Sequence, residues 1–233
     1  MKLLSLFRIL PFLFVSFIYS DIPLFQPPLT WECAFPQKAS QYIQIGFVGK
    51  GSTSFRPSIN LAIEQIDFNL KQYIKAVKQI HESEPNTTWR DLGKFLTLSG
   101  EGRLTEITSL SPFGTIKMLQ LILVKKNKAY IMTGAATKED FLQCQHLFTT
   151  SFKSLTLVSD LLDLLSKEQK NQITDLLISV SKDSSIEEKN HCWNELQKKV
   201  LEVSNLGVCW QFFVLKQGRE AIFQWTESLT LIE

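Results

Sequence analysis

The length and composition of this chain favour a folded globular protein. It has 233 residues, of which 44% are hydrophobic and 11% aromatic, so it can bury a sizeable core and an intrinsically disordered chain is excluded. Lys2 and Arg8 are the only charged residues among the first twenty, and the remaining chain has 23 basic side chains against 23 acidic ones. Because nucleic-acid binders usually carry a basic face, this balance argues against nucleic acid as a partner.

Residues 1–20 have the pattern of an export signal. Two basic residues come first, Ile9–Tyr19 is apolar, and the small residue Ser20 stands directly before Asp21. We expect cleavage at this point. A retained membrane anchor and a cytosolic protein with an apolar N-terminal segment are the alternatives, although the apolar run is shorter than the roughly 20 residues of an ordinary membrane span.

Residues 21–37 form a proline-rich lead-in that is expected to be extended. Its aromatic residues are Phe25, Trp31 and Phe35. They are expected either to dock on the core, because exposed aromatic side chains are costly, or to belong to a partner surface.

Two strands with a glycine-rich connection are predicted next. Tyr42–Gly51 alternates apolar and polar side chains and Phe55–Glu64 does so again, which is typical of strands. The connection holds Gly49-Lys50-Gly51-Ser52, whose spacing matches neither G-x-x-x-x-G-K-[ST] nor G-x-G-x-x-G. A polar hairpin is therefore preferred to a phosphate-binding loop.

A helix and two further strands follow. Asn69 is placed to cap a helix that reaches about His81. Phe95–Gly100 and Arg103–Ser109 are strand candidates that should meet around Gly100-Glu101-Gly102. This helix carries Lys71, Lys75 and Lys78 on one side. A solvent-exposed face is the simpler interpretation of these lysines, and a docking site for an acidic partner is the alternative.

Residues 114–155 combine a hairpin with a helix. Thr115–Val124 and Ala129–Gly134 are strand candidates joined by the polar turn Lys125–Lys128. Thr137 is placed to cap a helix, with acidic residues in its first turn. Apolar residues recur on this helix every three to four positions, at Phe141, Cys144, Leu147 or Phe148, and Phe152. That stripe should pack on the hairpin.

Several loose motifs can be compared with a known family. They are Phe55-x-Pro57-Ser58-Ile59-Asn60-Leu61, the helix with Leu70 and Tyr73, Gly100 and Gly102 before a strand, Lys128–Ala135, and Phe141, Phe148 and Ser151-Phe152 on the closing helix. On these residues, 38–156 resembles the PsbP-like superfamily, which includes the extrinsic photosystem II subunit, Ran-binding proteins of the Mog type and exported bacterial proteins of the DcrB type. The resemblance implies an α+β fold, an α/β/α sandwich around an antiparallel sheet, and a role as a binding or assembly module.

Residues 157–233 are expected to be an extension of that domain. Capping-box patterns predict helices over Lys167–Ser181 and Ile186–Asn205. Val208–Leu215 and Glu220–Leu231 then resemble two strands of a C-terminal β-hairpin. Its two faces both carry aromatic residues, so we expect a helix or a partner to cover it, and the candidate partner surface includes Trp210, Phe212 and Trp225.

The four cysteines permit three complete disulfide pairings if the chain is exported. Cys144 falls on a predicted core stripe, where a free thiol behaves as a small hydrophobe. Cys192 with Cys209 is the preferred bridge.

No catalytic, cofactor or metal-ligating residue is assigned. Cys144-x-His146 and His191-Cys192 are the local ligand-like pairs, but on a helix neither spacing gives a chelating face. No G-x-S-x-G nucleophile elbow occurs. Acidic pairs such as Glu139-Asp140 stand at predicted helix starts, where capping explains them.

The sequence therefore predicts an exported, non-enzymatic bacterial module that works by protein contact in the periplasm or at a membrane face, with peripheral membrane association as an added expectation. The expected organisation is a signal or apolar segment over 1–20, a lead-in over 21–37, a PsbP-like domain over 38–156 and a helical and hairpin extension over 157–233. A carrier of a lipid or small apolar ligand and an uncharacterised hydrolase are the alternatives.

Overall fold

The computed structural model describes residues 21–34, 40–181 and 185–230, and for 221–230 it describes the backbone alone. The predicted export signal and Phe35 lie outside the described residues.

Nine strands and five α-helices lie within the described part of the chain. The strands are β1 Ile22–Leu24, β2 Glu32–Cys33, β3 Ile43–Val48, β4 Ser58–Gln65, β5 Thr87–Thr97, β6 Gly100–Ser111, β7 Gly114–Lys125, β8 Lys128–Thr137 and β9 Thr156–Val158. The helices are α1 Leu70–Ser83, α2 Lys138–Lys153, α3 Lys167–Ser181, α4 Ile186–Glu202 and α5 Gly207–Thr230. No helix among these residues is both long and apolar enough to cross a membrane.

Seven strands form one antiparallel sheet in the order β2-β3-β4-β8-β7-β6-β5, and β1 pairs with β9 in a separate two-stranded sheet. The predicted antiparallel sheet is confirmed. A two-residue turn is enough to join the antiparallel strands β7 and β8. Lys126 and Asn127 take φ of 50° and 58°, the left-handed conformation that matches the twist of a hairpin.

A helix covers each face of this sheet. On one face, Asn69 caps α1 through a capping box, and Tyr73 packs in a small cluster with Ile122 and Ile131. On the other face, Thr137 caps α2, and Phe148 lies against Gly134 of β8. The predicted caps and the predicted α/β/α sandwich are both confirmed.

The β5–β6 connection differs from the prediction. The strands turn at Leu98-Ser99, and Gly102 lies inside β6 opposite Phe95. A Cβ at Gly102 would stand 2.7 Å from the carbonyl oxygen of Ile122 in β7. This glycine therefore permits close contact between strands and does not form the turn.

The predicted C-terminal hairpin is wrong, because residues 207–230 form the single helix α5. Cys209, Trp210, Phe213 and Val214 are buried, and their spacing places them on one side of a helix. The apolar residues of this segment fit a period of 2 over a few positions, but they also fit a period of 3.6. Packing against α3 and α4 selects the helix, so the extension is a three-helix bundle.

The bundle and the sandwich share their largest hydrophobic cluster. Buried side chains of the bundle, such as Ile173, Leu196 and Trp210, belong to the same cluster as Phe47 of the sheet and Phe148 of α2. The predicted helices α3 and α4 are confirmed, with a capping box at Ser185, although α4 ends at Glu202.

Candidate partner-binding site

The aromatic residues predicted to form a partner surface lie mostly in the core. Phe25 is buried, and its ring meets that of Phe47 edge to face at 5.7 Å. Trp210 is fully buried, and its indole N–H donates to the carbonyl oxygen of Leu161 at 2.9 Å. The prediction of a partner surface is wrong for these two residues, because Phe25 docks on the sheet, as its other interpretation expected, and Trp210 packs within the shared hydrophobic cluster.

Trp31 and Phe212 are half-buried and also contact their own chain. The Trp31 ring lies 6.0 Å from that of Phe148 in an edge-to-face arrangement, and it covers Gly49. Phe212 packs against Phe213 with ring centroids 5.2 Å apart. The side chain of Trp225 lies outside the described residues. The four predicted aromatics whose side chains the structure describes therefore do not form one exposed surface.

The preferred disulfide is not formed either, since Cys192 and Cys209 are free thiols. Gly218 of α5 packs against Trp193 of α4, whereas the Gln211 amide reaches carbonyl oxygens at the end of α4. This antiparallel register places Cys209 near the end of α4, and Cys192 lies ten residues earlier, on the order of 15 Å away. A disulfide needs Cα atoms within about 7 Å.

One end of the sheet gathers three connections, and we call it the loop end. It comprises the β3–β4 loop over residues 49–57, the β6–β7 turn over residues 112–113 and the first turn of α2. Strand register brings them together, because Val48 pairs with Ser58, Ser58 with Ala135, and Ile116 with Thr137.

A buried carboxylate anchors the β3–β4 loop. The Asp140 side chain in the first turn of α2 accepts hydrogen bonds from Ser52 N at 2.9 Å and from Ser52 Oγ at 2.6 Å. The hydrogen bonds from the Ser52 hydroxyl and then from its backbone hold the pKa of Asp140 below its usual range. In a phosphate-binding loop, backbone N–H groups donate to the bound phosphate. Here the Ser52 N–H donates to the Asp140 carboxylate of the same chain.

Further contacts fix the remainder of this loop. Gly49 N donates to the Pro57 carbonyl oxygen at 2.8 Å, which closes the loop at its base. Arg56 donates from Nε to the Gly49 carbonyl oxygen at 2.9 Å and forms an ion pair with Glu32 at 3.0 Å. The polar hairpin connection predicted from the sequence is therefore present, and it is held at both ends.

Apolar side chains project from the loop end. Phe113 is 54% exposed, and its ring centroid lies 6.0 Å from that of Phe55 in the β3–β4 loop. Leu110 is 63% exposed beside the same turn, and Leu142, directly after the first turn of α2, is 79% exposed. The turn is fixed because Phe113 N donates to Ser111 Oγ at 3.1 Å.

Charged side chains lie farther along strands β5, β6 and β7 from the loop end. Glu106 forms ion pairs with Arg90 at 3.0 Å and with Lys117 at 3.5 Å. The Lys117 ammonium also stands 4.8 Å from the centroid of the Phe141 ring. The exposed apolar side chains of the loop end, with these charged groups farther along the adjoining strands, are suited to protein contact.

The outer edge of β5 is a less suitable surface for a partner. The strand is interrupted by a bulge between Asp91 and Gly93, where Gly93 takes φ of 103° and its N–H donates to Asp91 Oδ1 at 2.8 Å. Exposed Arg90 and Lys94 flank the bulge. Bulges and basic side chains on an edge strand oppose the addition of another strand.

Within the described ranges, no group of three or more His, Cys, Asp or Glu side chains could hold a metal ion. A cavity of about 40 Å³ lies between α3 and α4, lined by Gln169, Gln172, Ile173, Lys199, Glu202 and Val203. It has room for water, not for a lipid chain.

The exposure of Phe113 could have been predicted from the turn that holds it, although the strand patterns on either side are more conspicuous. Ser111-Pro112-Phe113-Gly114 stands between two strand patterns and has turn composition. A large aromatic residue within a tight turn has little of the chain available to cover it, so exposure could have been predicted there.

The sequence matches no protein-family model and no curated protein. Similar solved structures include LpqN of Mycobacterium tuberculosis, a protein involved in cell envelope biogenesis, at 12% identity over 59% of this chain and 85% of that chain, with a TM-score of 0.45. The cyanobacterial PsbP of Synechocystis is 14% identical over 62% of this chain and 96% of that chain, with a TM-score of 0.41. The Ran-binding protein Mog1p of Saccharomyces cerevisiae is 14% identical over 56% and 88%, with a TM-score of 0.36.

Proposed function

We propose that this chain is a non-catalytic binding or assembly module, and that a protein partner contacts its loop end. The observation that carries this proposal is a half-exposed aromatic side chain, Phe113, held in place by two neighbouring connections. Its ring packs on Phe55, and the loop that bears Phe55 is tied to α2 through Ser52 and Asp140.

Preorganisation is what makes this surface suited to binding. An exposed aromatic side chain on a mobile loop would lose conformational freedom when a partner covered it. Here the turn is closed by Ser111, and the Asp140 contact orders the adjacent loop, so part of that cost is already met in the free protein. Aromatic side chains at the centre of an apolar patch are frequent contributors to interface energy.

The proposed location is outside the cytoplasm, reached through the export signal over residues 1–20. The basic start, the apolar run and Ser20 support this location. Mass measurement of the chain isolated from its native host tests it separately: a chain that begins near Asp21 supports export, and an intact Met1 contradicts cleavage.

Site-specific photo-crosslinking in cells tests the proposed surface. A photoreactive amino acid replaces Phe113 in one strain and Lys75 in a control strain. Lys75 is exposed on α1, the helix on the opposite face of the sheet from α2. We expect a discrete protein adduct from position 113 that is absent from position 75.

The Asp140→Asn variant tests whether the order of the β3–β4 loop matters for binding. It weakens the hydrogen bonds to Ser52 and leaves the exposed apolar side chains unchanged. We expect the adduct from position 113 to fall by at least twofold in that background. Equal adducts from positions 113 and 75, or no adduct from position 113, would count against a partner at the loop end.

A further inference from the structure

Two cysteines from distant parts of the sequence lie beside the β2–β3 edge of the sheet. Cys33 in β2 pairs in register with Phe47 of β3. The Phe47 ring contacts Phe25 at 5.7 Å, and the backbone of Phe25 forms a hydrogen bond with the Cys209 thiol at the start of α5. The contacts from Cys33 to Cys209 therefore pass through one edge-to-face pair of rings, Phe47 and Phe25.

The path of α5 along the sheet leads to the same neighbourhood. Lys216 Nζ donates to Gln44 Oε1 at 2.9 Å, which aligns the middle of α5 with the start of β3. Cys209 lies seven residues before Lys216, about 10 Å along the helix. Phe47 lies three residues after Gln44, about 10 Å along the strand. Cys209 therefore reaches the level of Phe47 and of its neighbour Cys33.

The electrostatic surroundings of the thiols agree with this placement. Burial raises the pKa of Cys209 to about 12, the hydrogen bond from the Phe25 backbone opposes this rise, and the nearby Cys33 adds to it. Burial also raises the pKa of Cys33, although this residue keeps an exposed side. Cys33 is thus accessible to an oxidant, and Cys209 is buried behind it.

We propose that Cys33 and Cys209 are a disulfide-forming pair that ties the lead-in strand β2 to the first turn of α5. The reaction is exchange with a donor disulfide. The Cys33 thiolate attacks one donor sulfur and forms a mixed disulfide, with release of one donor thiol. The Cys209 thiol then attacks the Cys33 sulfur, and its proton goes to the departing donor sulfur, which leaves as the second donor thiol. The two protein thiols are oxidised and the donor is reduced, so atoms and electrons balance.

This bond would join two segments that the structure holds together by apolar contacts. The lead-in packs through Phe25 and Trp31, and α5 packs through Trp210 in the same cluster. A bond between positions 33 and 209 closes a long loop, which restricts the unfolded chain and stabilises the folded one. We expect oxidation to raise the midpoint of thermal unfolding by about 5 °C.

Peptide mapping of the full chain tests this pairing. The purified reduced protein is incubated with oxidised glutathione, unfolded in acid, alkylated and digested with trypsin without reductant. Each of the four cysteines falls in a different tryptic peptide. We expect one linked species, between the peptides of Cys33 and Cys209, and a higher unfolding midpoint than that of the reduced protein.

Two variants complete the design. Cys33→Ser alters the exposed member of the pair, so it should fold, melt like the reduced protein and form no linked peptide. Cys192→Ser should keep the Cys33 to Cys209 link. A link between Cys192 and Cys209, or glutathione retained on Cys33 while Cys209 is alkylated, would overturn the proposal.

Discussion

The buried Asp140 side chain both stabilises the start of α2 and holds the β3–β4 loop at the loop end. It lies in the first turn of α2, where a negative charge suits the helix dipole, and its two oxygens bind Ser52 across the loop end. The sequence explained the Glu139-Asp140 pair by capping alone. The contact with Ser52 joins positions 88 residues apart, so no local pattern could have revealed it.

Replacement of Asp140 by Asn should lower the free energy of unfolding by about 1–3 kcal/mol at pH 7, because charge-assisted hydrogen bonds to Ser52 are lost. Urea unfolding of the two proteins measures this difference. Ser52→Ala is the matched control: it removes the hydroxyl bond, keeps the backbone bond and should cost less.

The same pair of proteins should differ in their response to acid. The pKa of Asp140 is lower in the folded protein than in the unfolded chain, where it is about 3.9. The stability that this group contributes is therefore present above about pH 4 and is lost as the pH falls through the folded pKa. Urea unfolding near pH 3 should show a smaller difference between the proteins, and an undiminished difference would contradict the assigned role.

Helices and strands with a local signal were the elements that sequence patterns predicted well. Asn69, Thr137 and Ser185 cap the helices for which they were proposed. The Lys125–Lys128 turn also occurs at its predicted place. In each case the determining contacts lie within a few residues, so the pattern contains the physical cause.

The element α5 was predicted wrongly because its conformation depends on distant contacts. Trp210, Phe212 and Val214 fit an alternating strand, whereas Trp210, Phe213 and Val214 fit one side of a helix. Burial against Leu161 and the bundle decides between the two. The same dependence hid the site. The sequence allowed Phe25 and Trp210 either to dock on the chain or to meet a partner, and the strand patterns did not single out Phe113, which is exposed.

The close approach of α2 to β8 depends on Gly134, and a substitution at this glycine tests it. A Cβ on Gly134 would overlap the ring of Phe148, so the glycine sets how closely the helix approaches the sheet. Gly134→Ala should cost about 1–3 kcal/mol in the free energy of unfolding, measured by urea titration.

A second substitution separates this overlap from other effects of the new methyl group. In a Phe148→Leu background the ring is absent, so the added cost of Gly134→Ala should fall by at least about 0.5 kcal/mol. An equal cost in both backgrounds would show that the approach of α2 does not depend on this glycine.

For the whole molecule, the shared core predicts that the sandwich and the three-helix bundle unfold together. The bundle contributes buried Trp210 and Phe213 to the cluster that contains Phe25 and Phe47. Removal of residues 166–233 would uncover that part of the sandwich. We expect the truncated chain to have a lower unfolding midpoint and to bind a hydrophobic dye, measured by calorimetry and fluorescence.

Calorimetry of the full chain supplies the complementary measurement. A shared core should give one unfolding transition in which calorimetric and van't Hoff enthalpies agree. Two separate transitions, with the truncated sandwich as stable as it is in the full chain, would show that the bundle is an independent unit.

Contact between a protein partner and the loop end is tested most directly by one binding titration. The protein captured at position 113 is purified and titrated calorimetrically against the wild type, Phe113→Ser and Leu98→Ser. Leu98 is an exposed control at the opposite end of the sheet. We predict that Phe113→Ser weakens binding at least tenfold while Leu98→Ser leaves it unchanged; equal affinity of all three proteins would contradict the assignment.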